Sequence, residues 1–380
     1  MRFIVCLVIF TALLCGCGAE SPEESVPETT VLTVPTTVAT EPATTEPKDP
    51  LELMVEGMST EEKVGQLFLA RCPEEEAIED IANYHLGGYI LFGRDFADET
   101  PVHMIKTLAE YQASAQVPLL IAVDEEGGTV CRVSSYTAFR NTKFQSPQAI
   151  YNTKGMAAVL DTESEKAELL SKLGINVNMA PVCDVTTTPG AFMYARSLGQ
   201  NAQITAEFVE GAVQRHAEYN VGCVLKHFPG YGNSADTHTG IAVDNRELEE
   251  FERSDLIPFA AGIAAGADAV LVSHTIVHAF DDALPASLSP AVHEYLRENM
   301  SFQGVIVTDD LAMGAITEAY GAEEAAVLAV LAGNDLLCST EYRTQYQAVL
   351  EAVESGRISM EQLNTSVLRI LTWKQELKLL

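Results

Sequence analysis

The strongest constraint on how this chain can fold is a rhythm. Eight short apolar runs, at residues 66–70, 88–92, 119–123, 175–179, 222–225, 269–272, 305–307 and 335–337, alternate with stretches of helical periodicity. Such runs, too short for helices and without polar alternation, read as strands buried on both faces, the pattern of a parallel sheet covered by helices. Residues 104–115, 156–173, 202–218, 256–265 and 322–332 carry the helical spacing. Strands alternating with helices make parallel β/α units. Eight of them fit a single closed (β/α)8 barrel of TIM type better than an open doubly wound sheet. Ser59-Thr60-Glu61-Glu62 has the form of a capping box and opens a helix near the start of the folded part.

The beginning of the chain reads differently. Met1-Arg2 gives a positive start, residues 3–14 are apolar but too short to span a bilayer comfortably, and Leu14-Cys15-Gly16-Cys17 follows. That ending resembles a bacterial lipobox. On this reading residues 1–16 are a lipoprotein signal peptide and Cys17 becomes the lipidated first residue; an ordinary signal peptide cleaved nearby is the other reading. Residues 17–49 are rich in Thr, Pro, Glu and Val, have no amphipathic period, and read as a disordered tether. The folded domain is then 50–380. A formal net charge of -31 argues against nucleic acid as a partner and against adsorption to anionic lipid. Membrane contact is therefore expected through the lipid anchor only, on the outer face of the cytoplasmic membrane or the cell surface. Of the 8 cysteines, Cys6, Cys15 and Cys17 belong to the leader. Cys72, Cys131, Cys183, Cys223 and Cys338 are scattered and lack metal spacing. They read as mostly buried thiols without a disulfide framework, although one pair remains possible outside the cell.

If the fold is a barrel, its site lies where the strands end at the C-terminal face. The residues just after the apolar runs are Arg71, Gly93, Asp124, the turn 181–184, Lys226-His227, Ser273-His274, Asp309-Asp310 and Cys338. Most are polar or charged, and charged groups gathered at one rim need a ligand or one another. The stretch Lys226-His227-Phe228-Pro229-Gly230-Tyr231-Gly232 is the densest. It leads into Asp236-Thr237-His238, so a strand end delivers Lys226 and His227 and a loop follows with Asp236 and His238. Asp309 at a strand end can serve as nucleophile, base or metal ligand. No carboxylate or histidine set with metal spacing accompanies it, and there is no phosphate-binding or dinucleotide fingerprint, so neither metal nor cofactor is expected. Asp310 reads as a cap for a helix starting near Ala312. Glycoside hydrolysis needs one group at the anomeric carbon and another that protonates the leaving oxygen. Asp309 suits the first role. His238, its charged form favoured by Asp236, suits the second. Asp124 before Glu125-Glu126-Gly127-Gly128 suits sugar hydroxyls, the glycines permitting close backbone approach. Arg132 and Arg196 offer forked donors. His216, His278 and His293 read as packing or surface residues.

Taken together, residues 124–132, Asn178-Met179-Ala180-Pro181-Val182, Ala195-Arg196-Ser197-Leu198-Gly199, 226–238, Pro285-Ala286-Ser287-Leu288-Ser289 and 308–313 resemble glycoside hydrolase family 3, and within it the bacterial β-N-acetylglucosaminidases (β-N-acetylhexosaminidases). The resemblance covers about residues 51–380 and implies a TIM-like barrel and a retaining mechanism through a covalent glycosyl-enzyme. It makes Asp309 the nucleophile and His238 the acid/base with Asp236 as its partner. It implies that Asp124, Arg132, Arg196, Lys226 and His227 hold a terminal N-acetylglucosamine. The family's usual second domain is expected to be missing, as in its compact members. Tyr231 stands where a histidine is frequent in this motif and is expected to shape the loop. The activity expected is exo-hydrolysis of N-acetylglucosamine from wall-derived glycans or muropeptides, by a monomer. The alternatives are phosphorolysis of the same bond, another β-glycosidase activity of the family, and a non-catalytic wall-glycan-binding lipoprotein.

Overall fold

The computed structural model describes residues 48–232 and 242–380. Cys17, the signal segment 1–16, nearly all of the tether 17–49, and the pair Asp236 and His238 lie outside the described residues. Each apolar run yields a strand: β1 (Phe68–Arg71), β2 (Gly88–Leu91), β3 (Leu120–Val123), β4 (Val177–Asn178), β5 (Gly222–Phe228), β6 (Ala269–Val272), β7 (Val305–Thr308) and β8 (Leu337–Ser339). Each pairs in parallel with the next, from β1 through β7. β8 pairs back onto β1, with Phe68 opposite Leu337. A parallel bridge between Val307 and Leu336 joins the last gap. The ring closes, and the open doubly wound alternative is excluded.

Closure explains why the strands are apolar on both faces. Successive side chains of a strand point to opposite sides. One set, including Leu69, Ile90, Leu120, Ala122, Val224, Leu271 and Val307, forms a cluster of its own inside the ring. The alternate set packs outward on the helices: Phe68, Tyr89 and Ile121 on one side of the barrel, Leu225, Val270 and Ile306 on the other. Ile370 and Trp373 of the last helix, Met360–Glu376, and Leu377 just after it join the inner cluster and close its floor. The fit is tight there: a Cβ at Gly222, the first residue of β5, would lie 2.8 Å from the Trp373 ring nitrogen.

Helix starts follow local chemistry. Ser59 and Glu62 form the expected capping box. Thr100, Ser146 and Asn201 cap the helices Pro101–Ser114, Pro147–Lys154 and Ala202–Ala217 through their side-chain oxygens. Gly174 ends Met156–Leu173 in the left-handed region, at φ 85°, where its amide reaches the Leu170 carbonyl.

Several strand boundaries differ from expectation, and three of them have a clear local cause. Gln66 ends the helix Thr60–Gln66 instead of opening β1. β8 starts at Leu337 because Asp335 turns to other partners, accepting from the Ile306 amide at 2.9 Å and pairing with Arg297 and Arg369. β5 runs on through Lys226 and His227 to Phe228, so these two residues lie within the strand. The chain after β4 sustains that extension, with Val182 bridged to Lys226 and the Cys183 amide donating to the Lys226 carbonyl at 2.6 Å. The five cysteines of the folded part are all buried free thiols. Among the described residues no helix is long and apolar enough to cross a membrane.

At the barrel floor Lys374 is fully buried, and its ammonium donates to Gln66 Oε1 at 2.7 Å. Burial alone pushes its pKa down to about 7. The unfolded chain keeps this lysine charged up to about pH 10.4, so between the two values the unfolded state holds more protons and stability rises with pH. Below about pH 7 the burial cost is present in full. Lys374→Met is therefore expected to stabilise the fold by about 1–4 kcal/mol at pH 6 and by less at pH 9.5, as read from urea midpoints; equal gains at both pH values would contradict this.

Candidate active site

The C-terminal pole of the barrel holds a cavity of about 530 Å³, lined by Phe92, Asp124, Arg132, Arg196, Lys226, His227 and Asp309 among others. Every described residue expected at the site from the sequence reaches it: Asp124, Arg132, Arg196, Lys226, His227 and Asp309. Asp124 follows β3. Lys226 and His227 lie on β5, and Asp309 follows β7 directly. Arg196 comes from the long connection between β4 and β5, and Arg132 from the far side of a hairpin, Glu125–Gly127 paired with Val130–Cys131.

Lys226 is the hub. Its ammonium, buried with the rest of the side chain, lies 2.6 Å from Asp124 Oδ1 and 2.7 Å from Glu126 Oε1. Arg196 grips the same Glu126 with two donors, Nε at 3.0 Å and Nη2 at 2.6 Å. Arg132 stands 3.9 Å from Asp124. Burial works to raise the pKa of Glu126, but Lys226 and Arg196 overcome it and hold the carboxyl down at about 2. Burial likewise works against the charge on Lys226, and Asp124 and Glu126 outweigh it, so its pKa rises. Three carboxylates, Asp124, Glu126 and Asp309, thus face three cations, Lys226, Arg132 and Arg196.

Glu126 was not among the residues expected at the site. The sequence signal was present, since it sits two positions beyond Asp124 and strand alternation turns it to the same side. The hairpin that carries it is fixed from below. Glu125 accepts the amides of Arg132 at 2.9 Å and Val133 at 2.8 Å, and Asn178 Oδ1 accepts the Glu125 amide at 3.0 Å. Buried Lys166 donates to the Glu126 carbonyl at 2.6 Å. Gly127 and Gly128 have φ 100° and 69°, and a Cβ on either would strike Gln145 or Ser146 within 2.7 Å. Their close approach is therefore to the chain itself, which corrects the expectation that they admit a sugar.

His227 is oriented by a second unexpected residue. Its Nδ1 donates to the buried Asp184 Oδ2 at 2.8 Å, and Arg196 Nη2 lies 3.3 Å from Nε2. Asp184 thereby holds a proton on Nδ1 and sets the orientation of the ring. Its other oxygen takes the Tyr231 amide at 2.8 Å. Tyr231 is buried edge-on against His227 and also packs on Phe192.

Asp309 is held by its neighbours. Its amide donates to the Val272 carbonyl at 3.1 Å, and the Asp310 amide donates to its Oδ1 at 2.9 Å. Burial opposes its ionisation, but His274, His227, the Asp310 amide and Lys226 together lower its pKa below the ordinary carboxylate value. A carboxylate so held stays ionised and can attack or stabilise a developing positive centre. His274 is buried, with Ser287 Oγ at 2.7 Å and the Asp310 carbonyl at 3.0 Å on its two ring nitrogens. Asp310 does not cap a helix: the next one, Gly314–Tyr320, has Met313 at its start. Its carboxylate instead takes the Ala312 amide at 3.0 Å, the Thr340 amide at 3.1 Å and the Thr340 hydroxyl at 2.6 Å, tying the ends of β7 and β8 together. His216 and His293 are packing residues, both buried, and His278 is exposed.

A closed barrel with its ionised groups at one pole is the architecture in which strand ends build the site. The chain belongs to glycosyl hydrolase family 3, whose N-terminal domain model matches residues 59–373. It is 31% identical over 330 residues to "Beta-hexosaminidase A" of Pseudoalteromonas piscicida, covering 80% of this chain and 55% of that one. It is also 31% identical over 331 residues to "Beta-hexosaminidase LpqI" of Mycobacterium tuberculosis, covering 83% of each. The chain thus spans little more than half of the first relative and most of the second. Among solved structures it resembles a glycoside hydrolase family 3 β-N-acetylglucosaminidase from Paenibacillus sp., with TM-score 0.79 and 36% identity over 85% of this chain and 63% of that one. M. tuberculosis LpqI superposes with TM-score 0.78 at 29% identity, over 85% and 96%.

Glu126 gives a test of this electrostatic arrangement. Its folded pKa lies below the unfolded value, so its contribution to stability is present above about pH 4.5 and fades as pH falls toward about 2. Glu126→Gln leaves Lys226 and Arg196 short of a counter-charge and is expected to cost on the order of 3 kcal/mol at pH 7. Denaturation curves at pH 7 and pH 3 should show the deficit shrinking in acid; a deficit independent of pH would refute the ion-pair account.

Proposed function

We propose that this chain is a retaining exo-β-N-acetylglucosaminidase that removes terminal N-acetylglucosamine from wall-derived glycans or muropeptides. The observation that carries the reading is Asp309, an ionised carboxylate in the cavity, facing a cluster of sugar-gripping groups in a family 3 barrel. Asp309 attacks the anomeric carbon as the bond to the leaving oxygen breaks, giving a glycosyl ester on Asp309. His238, charged and supported by Asp236, gives its proton to the leaving oxygen. It then takes a proton from water, whose oxygen attacks the same carbon and frees Asp309. Asp124, Arg132, Arg196, Lys226 and His227 hold the sugar. Asp124 offers acceptors for hydroxyls, and the cations offer donors. No step draws on a metal or cofactor. The names of the relatives support the substrate, and the lipobox-like Cys17 and the tether support an exported, lipid-anchored protein.

With 4-nitrophenyl N-acetyl-β-glucosaminide as substrate, Asp309→Ala is expected to lower kcat by about a thousand-fold or more, as for other nucleophile removals; retained turnover would sink the assignment. The alkaline limb of the pH–rate profile should follow His238. A neighbouring carboxylate favours the charged imidazole and raises its pKa, so Asp236→Asn should move that limb to lower pH and reduce kcat. An unmoved limb with an unchanged rate would remove the dyad. Running the reaction in phosphate buffer and assaying for the sugar 1-phosphate separates hydrolysis from phosphorolysis.

A further inference from the structure

Two segments that stand out in the sequence take no part in the reaction as derived: Ser273-His274 after β6, and Pro285-Ala286-Ser287-Leu288-Ser289. The structure joins them beside Asp310. His274 is fully buried, and its ring lies between two groups. Nδ1 is 2.7 Å from the Ser287 hydroxyl, and Nε2 is 3.0 Å from the Asp310 carbonyl oxygen. A carbonyl can only accept, so Nε2 carries a proton and donates. Ser287, also fully buried, is itself fixed. Its amide donates to the Ser273 carbonyl at 2.9 Å, and its carbonyl accepts from Asn334 Nδ2 at 2.7 Å. The hydroxyl is thus a seat for the ring.

Asp310 is gripped from two sides. On the β8 side its carboxylate accepts from the Thr340 amide at 3.1 Å and the Thr340 hydroxyl at 2.6 Å. On the β6 side its carbonyl accepts from His274. Its amide then points at one atom, Asp309 Oδ1, at 2.9 Å. Among the described residues Asp309 Oδ2 takes no hydrogen bond, so the two oxygens of this carboxylate are not equivalent. Burial opposes the ionisation of Asp309, and His274 is the largest of the influences that offset it. A residue that only filled space here would be better apolar, since burying an imidazole costs free energy that its hydrogen bonds merely offset.

We propose that His274, seated by Ser287, is the positioning residue for the nucleophile: it sets the Asp310 peptide so that its amide engages Asp309 Oδ1 and Oδ2 is the oxygen that attacks. The inference rests on the hydrolase reading above. Oδ2 forms the bond to the anomeric carbon as that carbon's bond to the leaving oxygen breaks, and Oδ1 becomes the ester carbonyl oxygen, still facing the amide. When water attacks the same carbon, the ester C–O bond breaks and its electron pair returns to the carboxylate. The Asp310 amide is already placed to receive that charge. His274 touches neither reacting atom and acts through Asp310.

The test uses 4-nitrophenyl N-acetyl-β-glucosaminide, with N-acetylglucosamine as a competitive inhibitor that reads the sugar grip separately. His274→Leu is expected to lower kcat about a hundred-fold, the scale of a misplaced reacting group, with the inhibition constant within about two-fold of wild type. His274→Gln, whose amide can donate in place of Nε2, should recover kcat to within about ten-fold of wild type. Ser287→Ala removes only the seat and should cost about five-fold in kcat, which keeps the proposal testable if His274→Leu does not fold. An unchanged kcat in Ser287→Ala, or losses matched by equal losses in inhibitor binding, overturns the proposal. A wild type that does not turn over the aryl glycoside sinks the hydrolase reading instead, and amide hydrogen exchange at Asp310 then decides the contact. Exchange at least ten-fold slower in wild type than in Ser287→Ala supports it, and equal rates overturn it.

Discussion

The buried ammonium of Lys226 is the contact on which the candidate site depends. Leaving one charge unpaired at such depth costs several kcal/mol, so the lysine must be met by carboxylates wherever the fold puts it. Asp124 and Glu126 do this from the turn after β3, and Arg196 closes the group from the other side of Glu126. Three separate segments are fixed relative to one another by one charge cluster. The same cluster supplies part of the field that keeps Asp309 ionised. Stability and chemistry are coupled here, since any change that loosens Glu126 alters both.

Around this hub stands a set of residues that decide where the walls of the cavity lie. Asn178 and Lys166 hold the backbone of Glu125 and Glu126. Asp184 sets the ring of His227 and holds the start of the segment that leads toward Asp236 and His238. Asp310 ties β7 to β8 through Thr340. A barrel whose strands end in polar residues needs such ties, because backbone and side-chain groups there are shielded from water and must find partners within the protein. The opposite pole shows the contrast. There Trp373 and Leu377 close an apolar floor, and the buried ammonium of Lys374 donates to a neutral amide.

Much of this was legible before any coordinates. The eight runs gave the strands because burial on both faces leaves an unbroken apolar signal. Asp124, Lys226, His227 and Asp309 were visible because each directly follows such a run. Glu126 was passed over because the glycines after it drew the reading toward the turn. Asp184 was noted only as the end of the turn 181–184 and given no role, because β4 ends at Asn178 and the next residues carry no periodic signal. The helix Tyr342–Glu354 escaped notice for a related reason: its start has no side-chain cap.

By itself the sequence determined the closed parallel barrel, the pole at which the polar residues gather, and the family to which they belong. These follow from periodicity and from short motifs, which are local properties of the chain. Tertiary structure alone decided which charges neutralise which: that Glu126 binds both Lys226 and Arg196, that Asp184 orients His227, and that Asp310 is a tie and not a helix cap. Pairing depends on distances across the barrel between residues up to a hundred positions apart, and Coulomb energies in a shielded interior are set by those distances.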